Sequence, residues 1–124
     1  YGYSIGMAYQ VYDDLLDYRA TSEQLGKPAG NDLRSGIMTL PAIIAAENGA
    51  KDAIFKFFNS PEEAKADLLP KTIEAINRTG ALEKTNEVAN NYIKAAMKSL
   101  DHIPPSKYLD SMMSLAEYVQ KRKY

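Results

Sequence analysis

The chain has 124 residues, a length for one domain or part of a larger one, and its 45% hydrophobic and 25% charged residues are typical of a soluble globular protein. Fifteen basic and sixteen acidic residues leave a formal net charge of −1, so no overall basic field favours nucleic acid or an anionic membrane. No apolar run approaches the roughly 18 residues of a spanning helix. The absence of cysteine excludes disulfides, thiol nucleophiles and cysteine-based zinc sites. We expect a cytoplasmic protein without a membrane span.

The first predicted element is a helix over residues 3–18, where apolar residues recur at three- and four-residue steps. The chain opens on Tyr1 without a start Met or a signal peptide, so this helix reads equally well as the middle of something longer. Glycines and a proline among polar residues predict a loop over residues 21–36. Long loops are often functional.

The remaining segments are also helical in pattern. Thr39 is a predicted cap of the next helix, with Pro41 in its first turn, and Asn48-Gly49 is predicted to end it. Ser60 is the predicted cap of a helix that runs toward residue 79, with a kink or break at Pro70. Further helices are predicted over residues 50–59, 81–103 and 106–121. No segment alternates like a strand, so we predict an all-α antiparallel helical bundle.

An acidic cluster lies near the end of the first helix. Asp13 and Asp17 are one turn apart and project from the same face, while Asp14 lies about 100° around the helix axis. Like charges at this spacing repel by roughly 0.2–0.5 kcal/mol, and the C-terminal end of a helix disfavours anions. A compensating cation is therefore indicated, and carboxylates without His or Cys nearby suit Mg²⁺. A solvated acidic helix end explains the cluster equally well.

The following loop favours the metal hypothesis. Lys27 lies between Gly26 and Gly30, so an ammonium group is set among residues that let backbone N–H groups approach a phosphate closely. The glycine and lysine pattern is weak by itself. Together with the aspartates, the last of which lies ten residues upstream of Lys27, it indicates a site for Mg²⁺ and a diphosphate.

Three blocks, residues 6–17, 25–33 and 36–41, resemble in order and spacing the second aspartate-rich region of trans-isoprenyl diphosphate synthases, the polyprenyl synthetase family. The later helices resemble the C-terminal portion of that family. The resemblance implies the isoprenoid synthase fold, with residues 1–124 as its C-terminal part. The first aspartate-rich motif and the upstream basic residues of the family have no counterpart in this sequence.

The resemblance also implies an activity, the magnesium-dependent condensation of an allylic diphosphate with isopentenyl diphosphate. The Tyr9-Gln10 pair occupies the place of the family's Phe-Gln pair, near the isopentenyl substrate. Lys27 would contact the allylic diphosphate, and Asp17 would bind the metal directly or through water. By position, the catalytic residues are Asp13, Asp14 and Lys27, the metal ligands are Asp13, Asp14 and Asp17, and the substrate-binding residues are Tyr9, Gln10 and Lys27.

One departure from the family pattern concerns charge. Ile37 stands where many members, especially short-chain ones, carry a lysine. Either diphosphate binding is weaker or another residue such as Lys51 compensates. Arg122 belongs to a basic C-terminal run that neutralises a diphosphate, as the tail of the family does, or that forms a solvated terminus.

Three function hypotheses follow. The first is an incomplete prenyltransferase, inactive by itself and homo-oligomeric because helices without partners expose apolar surface. The second is a non-catalytic helical subunit or relic that binds diphosphate or a partner chain. The third is a helical carboxylate protein that binds metal without diphosphate.

Overall fold

The computed structural model describes residues 1–19 and 29–122. Over these residues every regular element is helical and no strand is present, which confirms the all-α class. Residues Ala46–Ala50 connect two of the helices through a kink, where the backbone of Asn48 and Gly49 is not helical. The helices are α1 (Gly2–Arg19), α2 (Asn31–Arg34), α3 (Leu40–Ala45), α4 (Lys51–Asn59), α5 (Glu62–Asn77), α6 (Ala81–Lys98) and α7 (Lys107–Lys121).

Helix α1 packs most extensively on α6, and the two together form the centre of the core. The side of α1 that we call the inner face carries side chains at three- and four-residue steps, which is the period that buries one stripe of a helix. Helix α6 buries a matching stripe. The buried residues of the inner face are Ala8, Val11, Tyr12, Leu15 and Tyr18, and those of α6 include Leu82, Thr85, Ala89 and Ile93.

Helix α7 lies along α1 and runs in the same direction. The Tyr1 hydroxyl donates a hydrogen bond of 2.8 Å to the carbonyl of Met112, in the second turn of α7. At the other end, Arg122 contacts Asp13 at 3.1 Å. From the first contact to the second, both helices progress toward their C-terminal ends, so the two helices are parallel. Helix α6 is antiparallel to α7, because its C-terminal turn lies beside the first turns of α7.

Two predicted boundaries have different outcomes. The predicted end at Asn48-Gly49 is confirmed, since Gly49 adopts φ 111°, a left-handed conformation that favours glycine. The predicted cap at Ser60 is wrong. The Ser60 hydroxyl donates to the carbonyl of Lys56 in the preceding helix, and Pro61 takes the N-cap position of α5.

Two predicted interruptions also need correction. Helix α5 continues through Pro70, so the predicted break is wrong. A proline removes one hydrogen bond, and the buried residues Thr72 and Ile76 hold the segment beyond it against the core. Helix α6 ends at Lys98, five residues before the predicted end at residue 103. Turn bonds such as that from Leu100 N–H to the Met97 carbonyl replace the helical pattern there.

The predicted loop over residues 21–36 contains the single helical turn α2, while residues 20–28 lie outside the described residues. Across residues 1–19 and 29–122, none of the helices combines the length and apolarity that crossing a bilayer requires. The cytoplasmic location stays a prediction.

Candidate active site

The acidic cluster lies at the C-terminal end of α1, and each of its carboxylates has a different environment. The Asp13 side chain is 54% exposed, whereas Asp14 and Asp17 are half-buried. Because the helix end disfavours negative charge, each group needs a donor or a cation nearby. The structure supplies these from the backbone of α2, from α1 itself and from the end of α7.

Asp17 acts as the cap of α2. Its Oδ1 accepts a hydrogen bond of 3.1 Å from the Asn31 N–H, and its Oδ2 accepts one of 3.0 Å from the Asp32 N–H. The Asp17 carbonyl also accepts a bond of 2.9 Å from the Gly30 N–H. A carboxylate at a helix N-terminus satisfies amides that have no partner within the helix. Asp17 therefore links the start of α2 to the C-terminal end of α1.

Gly30 lies at the point where the chain enters α2. Its φ of 75° is left-handed, and a Cβ built there would meet the Ile73 Cδ1 atom at 2.6 Å. The left-handed backbone conformation favours glycine at this position, and a Cβ would in addition force the end of the Ile73 side chain to shift. The second glycine of the loop is therefore explained by local geometry and by packing.

Asp14 is a carboxyl group whose ionisation the fold disfavours. Burial raises its pKa above the ordinary value of 3.8, and the negative charges of Asp13 and Asp17 add to the rise. Hydrogen bonds from the Gln10 side chain, at 2.9 Å, and from the Leu40 N–H oppose it. A cation bound beside Asp14 would favour its ionised form.

Asp13 pairs with a residue from the far end of the chain. The Arg122 Nη2 atom lies 3.1 Å from the Asp13 Oδ1 atom. The same guanidinium lies over the Tyr9 ring, 4.2 Å from its centre, in cation–π geometry. Asp13, a predicted metal ligand, and Tyr9, a predicted substrate-binding residue, therefore both contact the Arg122 guanidinium.

The donor set matches the preference of Mg²⁺ when the ion arrives with a phosphate group. Among the described residues, no three acidic, histidine or cysteine side chains converge as a metal cage. Magnesium ordinarily takes one or two carboxylates and completes its shell with water and phosphate oxygens. Asp13 and Asp14 are adjacent carboxylates whose oxygens keep further lone pairs beside their present hydrogen bonds. The residues present thus fit a magnesium diphosphate better than a bare ion.

The other predicted site residues are distributed as follows. Lys27 lies outside the described residues. The Gln10 side-chain amide donates a hydrogen bond to the Asp14 carboxylate, one turn along α1. Ile37 follows α2 with its side chain 51% exposed and its N–H bonded to the carbonyl of Asp32. Lys51 lies 5.5 Å from the centre of the Phe55 ring, on α4.

Two features of the site are absent from the sequence predictions. Nothing in the sequence indicates that the amides of Asn31 and Asp32 occupy both oxygens of Asp17. Arg122 was predicted only as part of a basic tail, and its pairing with Asp13 spans 109 positions. The basic run was the available signal, but its partner depends on the packing of α7 along α1.

Known proteins resemble this chain in sequence over nearly its whole length. The family model described as polyprenyl synthetase matches residues 1–76. Heptaprenyl diphosphate synthase component 2 of Bacillus subtilis (strain 168) is 39% identical over 124 residues, which cover 100% of this chain and 35% of the relative. Octaprenyl diphosphate synthase of Escherichia coli (strain K12) is 35% identical over 123 residues, covering 98% of this chain and 38% of that enzyme.

Solved structures show the same fold. Heptaprenyl diphosphate synthase from Staphylococcus aureus superimposes with a TM-score of 0.89 at 26% identity, covering 99% of this chain and 38% of that one. Polyprenyl synthase from Caulobacter crescentus CB15, complexed with calcium and isoprenyl diphosphate, gives 0.79 at 32% identity, covering 100% and 38%. The chain thus spans little more than a third of the length of these relatives. It belongs to the polyprenyl synthetase family.

Proposed function

We propose that the chain contributes the second aspartate-rich part of the active site of a prenyltransferase that elongates trans-polyprenyl diphosphates. The observation that carries this proposal is the pair of adjacent carboxylates, Asp13 and Asp14, at the end of α1 in a chain of this family. The complex of the Caulobacter crescentus relative with calcium and isoprenyl diphosphate supports a site that takes a divalent cation with a diphosphate.

Asp13 and Asp14 would hold Mg²⁺ at this site. When bound, Mg²⁺ neutralises negative charge that develops on a departing diphosphate. Lys27 would add a point charge for the allylic diphosphate. Tyr9 and Gln10 would border the isopentenyl substrate from the exposed side of α1. Asp17 would act mainly through the backbone of α2, because both of its oxygens accept amide hydrogens.

The proposed reaction transfers an allylic group to carbon. The allylic C–O bond breaks, and diphosphate leaves with the electron pair. The double bond of isopentenyl diphosphate then attacks the allylic carbon, and loss of a proton from the resulting cation restores a double bond. The residues of this chain stabilise the leaving group electrostatically and keep it oriented, which is the main source of rate for such a step.

Binding to the 124-residue chain tests the metal and diphosphate roles. We expect Mn²⁺ and inorganic diphosphate to bind together in isothermal titration calorimetry. Asp13→Asn should weaken this joint binding by about tenfold or more, which corresponds to about 1.4 kcal/mol. Asp110→Asn, which changes an exposed aspartate in the first turn of α7, is the matched control and should bind like the wild type.

Equal binding by the wild type and Asp13→Asn would overturn the proposal. Tight Mn²⁺ binding that ignores diphosphate would favour the simple carboxylate metal protein instead.

A turnover assay separates the enzyme from a non-catalytic subunit. Ile37, half-exposed and without charge, is the observation that favours the subunit. We expect no prenyl transfer by the 124-residue chain alone, and turnover that depends on Asp13 once the preceding portion of a family member is added. Association without turnover would favour the subunit, and robust product formation by the chain alone would contradict the prediction of inactivity.

A second copy of the chain or another synthase chain is the proposed protein partner. Large side chains on α1 and α7 remain exposed, among them Tyr3 and Tyr118. Such surface favours association when it is contiguous. Sedimentation velocity that shows only monomer at all concentrations would contradict self-association.

A further inference from the structure

Arg122 occupies an unusual position for a residue at the end of the last helix. Its side chain is only 14% exposed, although the Asp13 side chain that it contacts is 54% exposed. The Tyr9 ring covers one face of its guanidinium at 4.2 Å. A planar guanidinium that is paired with a carboxylate and stacked on an aromatic ring is held in one orientation.

The end of α7 is anchored by independent contacts. Val119 is 2% exposed and belongs to the hydrophobic core. Gln120 donates a hydrogen bond of 2.8 Å to the Asn90 side chain of α6, and the Tyr12 hydroxyl donates to the same oxygen at 2.9 Å. These contacts join α1, α6 and α7 one turn before Arg122. These tertiary contacts therefore place the Arg122 guanidinium beside Asp13.

The position of Arg122 has a consequence for metal binding. The Asp13 carboxylate is one of the two proposed magnesium ligands, and its Oδ1 is the atom that Arg122 contacts. A guanidinium and a divalent cation both seek the negative charge of that carboxylate, so each lowers the affinity of Asp13 for the other.

We infer that Arg122 is a positioning residue that neutralises Asp13 in the metal-free protein and competes there with the divalent cation. The inference rests on the proposed function. A metal ion alone must displace Arg122 from Asp13, which weakens its binding. When the metal ion binds together with diphosphate, the diphosphate oxygens supply negative charge to both the metal ion and the guanidinium released from Asp13. Arg122 therefore makes metal binding depend on the presence of diphosphate.

The test measures Mn²⁺ binding to the 124-residue chain by electron paramagnetic resonance, with and without inorganic diphosphate. Arg122→Gln should bind Mn²⁺ alone about three- to tenfold more tightly than the wild type, the range expected when one close, partly buried competing charge is removed. The factor by which diphosphate enhances Mn²⁺ affinity should fall accordingly. A role in folding alone does not produce tighter metal binding.

Lys121→Gln is the matched control. It removes one positive charge from the neighbouring position, but Lys121 pairs with Glu117 on the exposed side of α7. We expect wild-type Mn²⁺ binding from this variant. Arg122→Lys keeps the charge without the planar fork and should give a smaller change than Arg122→Gln. It also serves as the second variant if Arg122→Gln fails to fold, as judged by circular dichroism.

The two proposals can fail separately. If Asp13→Asn leaves joint Mn²⁺ and diphosphate binding unchanged, the proposed function fails and the Arg122 inference fails with it. If that binding depends on Asp13 but Arg122→Gln leaves Mn²⁺ affinity unchanged, only the Arg122 inference is overturned. An equal rise in Lys121→Gln, or the same rise when Arg122→Gln is made in the Asp13→Asn background, also overturns it.

Discussion

The two sides of α1 are held by different kinds of contact. The inner face packs apolar side chains such as Val11 and Leu15 against α6. The opposite side, with Tyr9 and Asp13, depends on one guanidinium that arrives from Arg122 at the other end of the chain. Apolar packing is broad and tolerant of small shifts, whereas the polar side depends on a few oriented groups. Changes on the inner face should therefore act mainly on stability, and changes at Tyr9 and Asp13 mainly on binding.

The largest effect is expected from Leu15→Ala. Leu15 is 2% exposed on the inner face, and its truncation removes contacts and leaves a cavity, so the free energy of unfolding should fall by about 2–5 kcal/mol. Urea denaturation followed by circular dichroism measures this change. Leu115→Ala, at an exposed position of α7, is the control and should lose less than about 1 kcal/mol. Equal losses in the two variants would contradict the assignment of the inner face.

Tyr18 adds a dependence on pH to the inner face. Burial raises the pKa of Tyr18 to about 12, the Thr39 hydroxyl opposes the rise, and nearby carboxylates led by Asp17 add to it. The unfolded state loses this proton near pH 10 while the folded state keeps it, so the folded state binds more protons between these values. Stability from this group is complete below pH 10 and is lost as pH rises toward 12.

Tyr18→Phe should therefore lose less stability than the wild type between pH 10 and 12. The difference should grow toward about 2–3 kcal/mol, and urea denaturation at a series of pH values measures it. Tyr118→Phe, on an exposed part of α7, provides the control for removing a hydroxyl. Parallel profiles for the wild type and Tyr18→Phe would show that burial of this ring does not govern its ionisation.

The third and smallest effect concerns Asp17, where the polar side also affects stability. Asp17→Ala removes the acceptor of two backbone amides, and we expect a loss of about 1–3 kcal/mol. Hydrogen exchange should show reduced protection at the amides of Asn31 and Asp32. Asp67→Ala, at an exposed position of α5, is the control. Unchanged protection at both amides in Asp17→Ala would contradict the capping role.

Hydrophobic periodicity was a good guide to the helices and a weaker guide to their ends. The steps of three and four residues predicted α1 and α7 closely, since burial of one stripe depends only on local spacing. The last helix was predicted to begin at residue 106, and there Ser106 caps it by accepting a hydrogen bond from the Leu109 N–H. The predicted cap at Ser60 and the predicted break at Pro70 were wrong because the effect of each residue depends on which contacts the neighbouring turns make.

The sequence predicted which acidic residues share one end of α1, but not the partners that each of them contacts. The spacing of Asp13, Asp14 and Asp17 predicted a shared role, because one helix carries all three. Their separate partners come from α2, from Gln10 and from Arg122, so the environment of each carboxylate differs. The glycine and lysine pattern of the loop predicted a diphosphate site, and Lys27 lies outside the described residues.

The sequence by itself determined the helical class, the stripe that α1 buries and the acidic end that carries the proposed chemistry. These properties depend on spacing within one helix, which a linear pattern records. Only the tertiary structure decided that α7 runs parallel to α1, that Asp17 caps α2 and that Arg122 stands where a metal ion is proposed to bind Asp13. Those contacts join residues 14 to 111 positions apart, and packing of the core selects them from many pairings that the charges alone would allow.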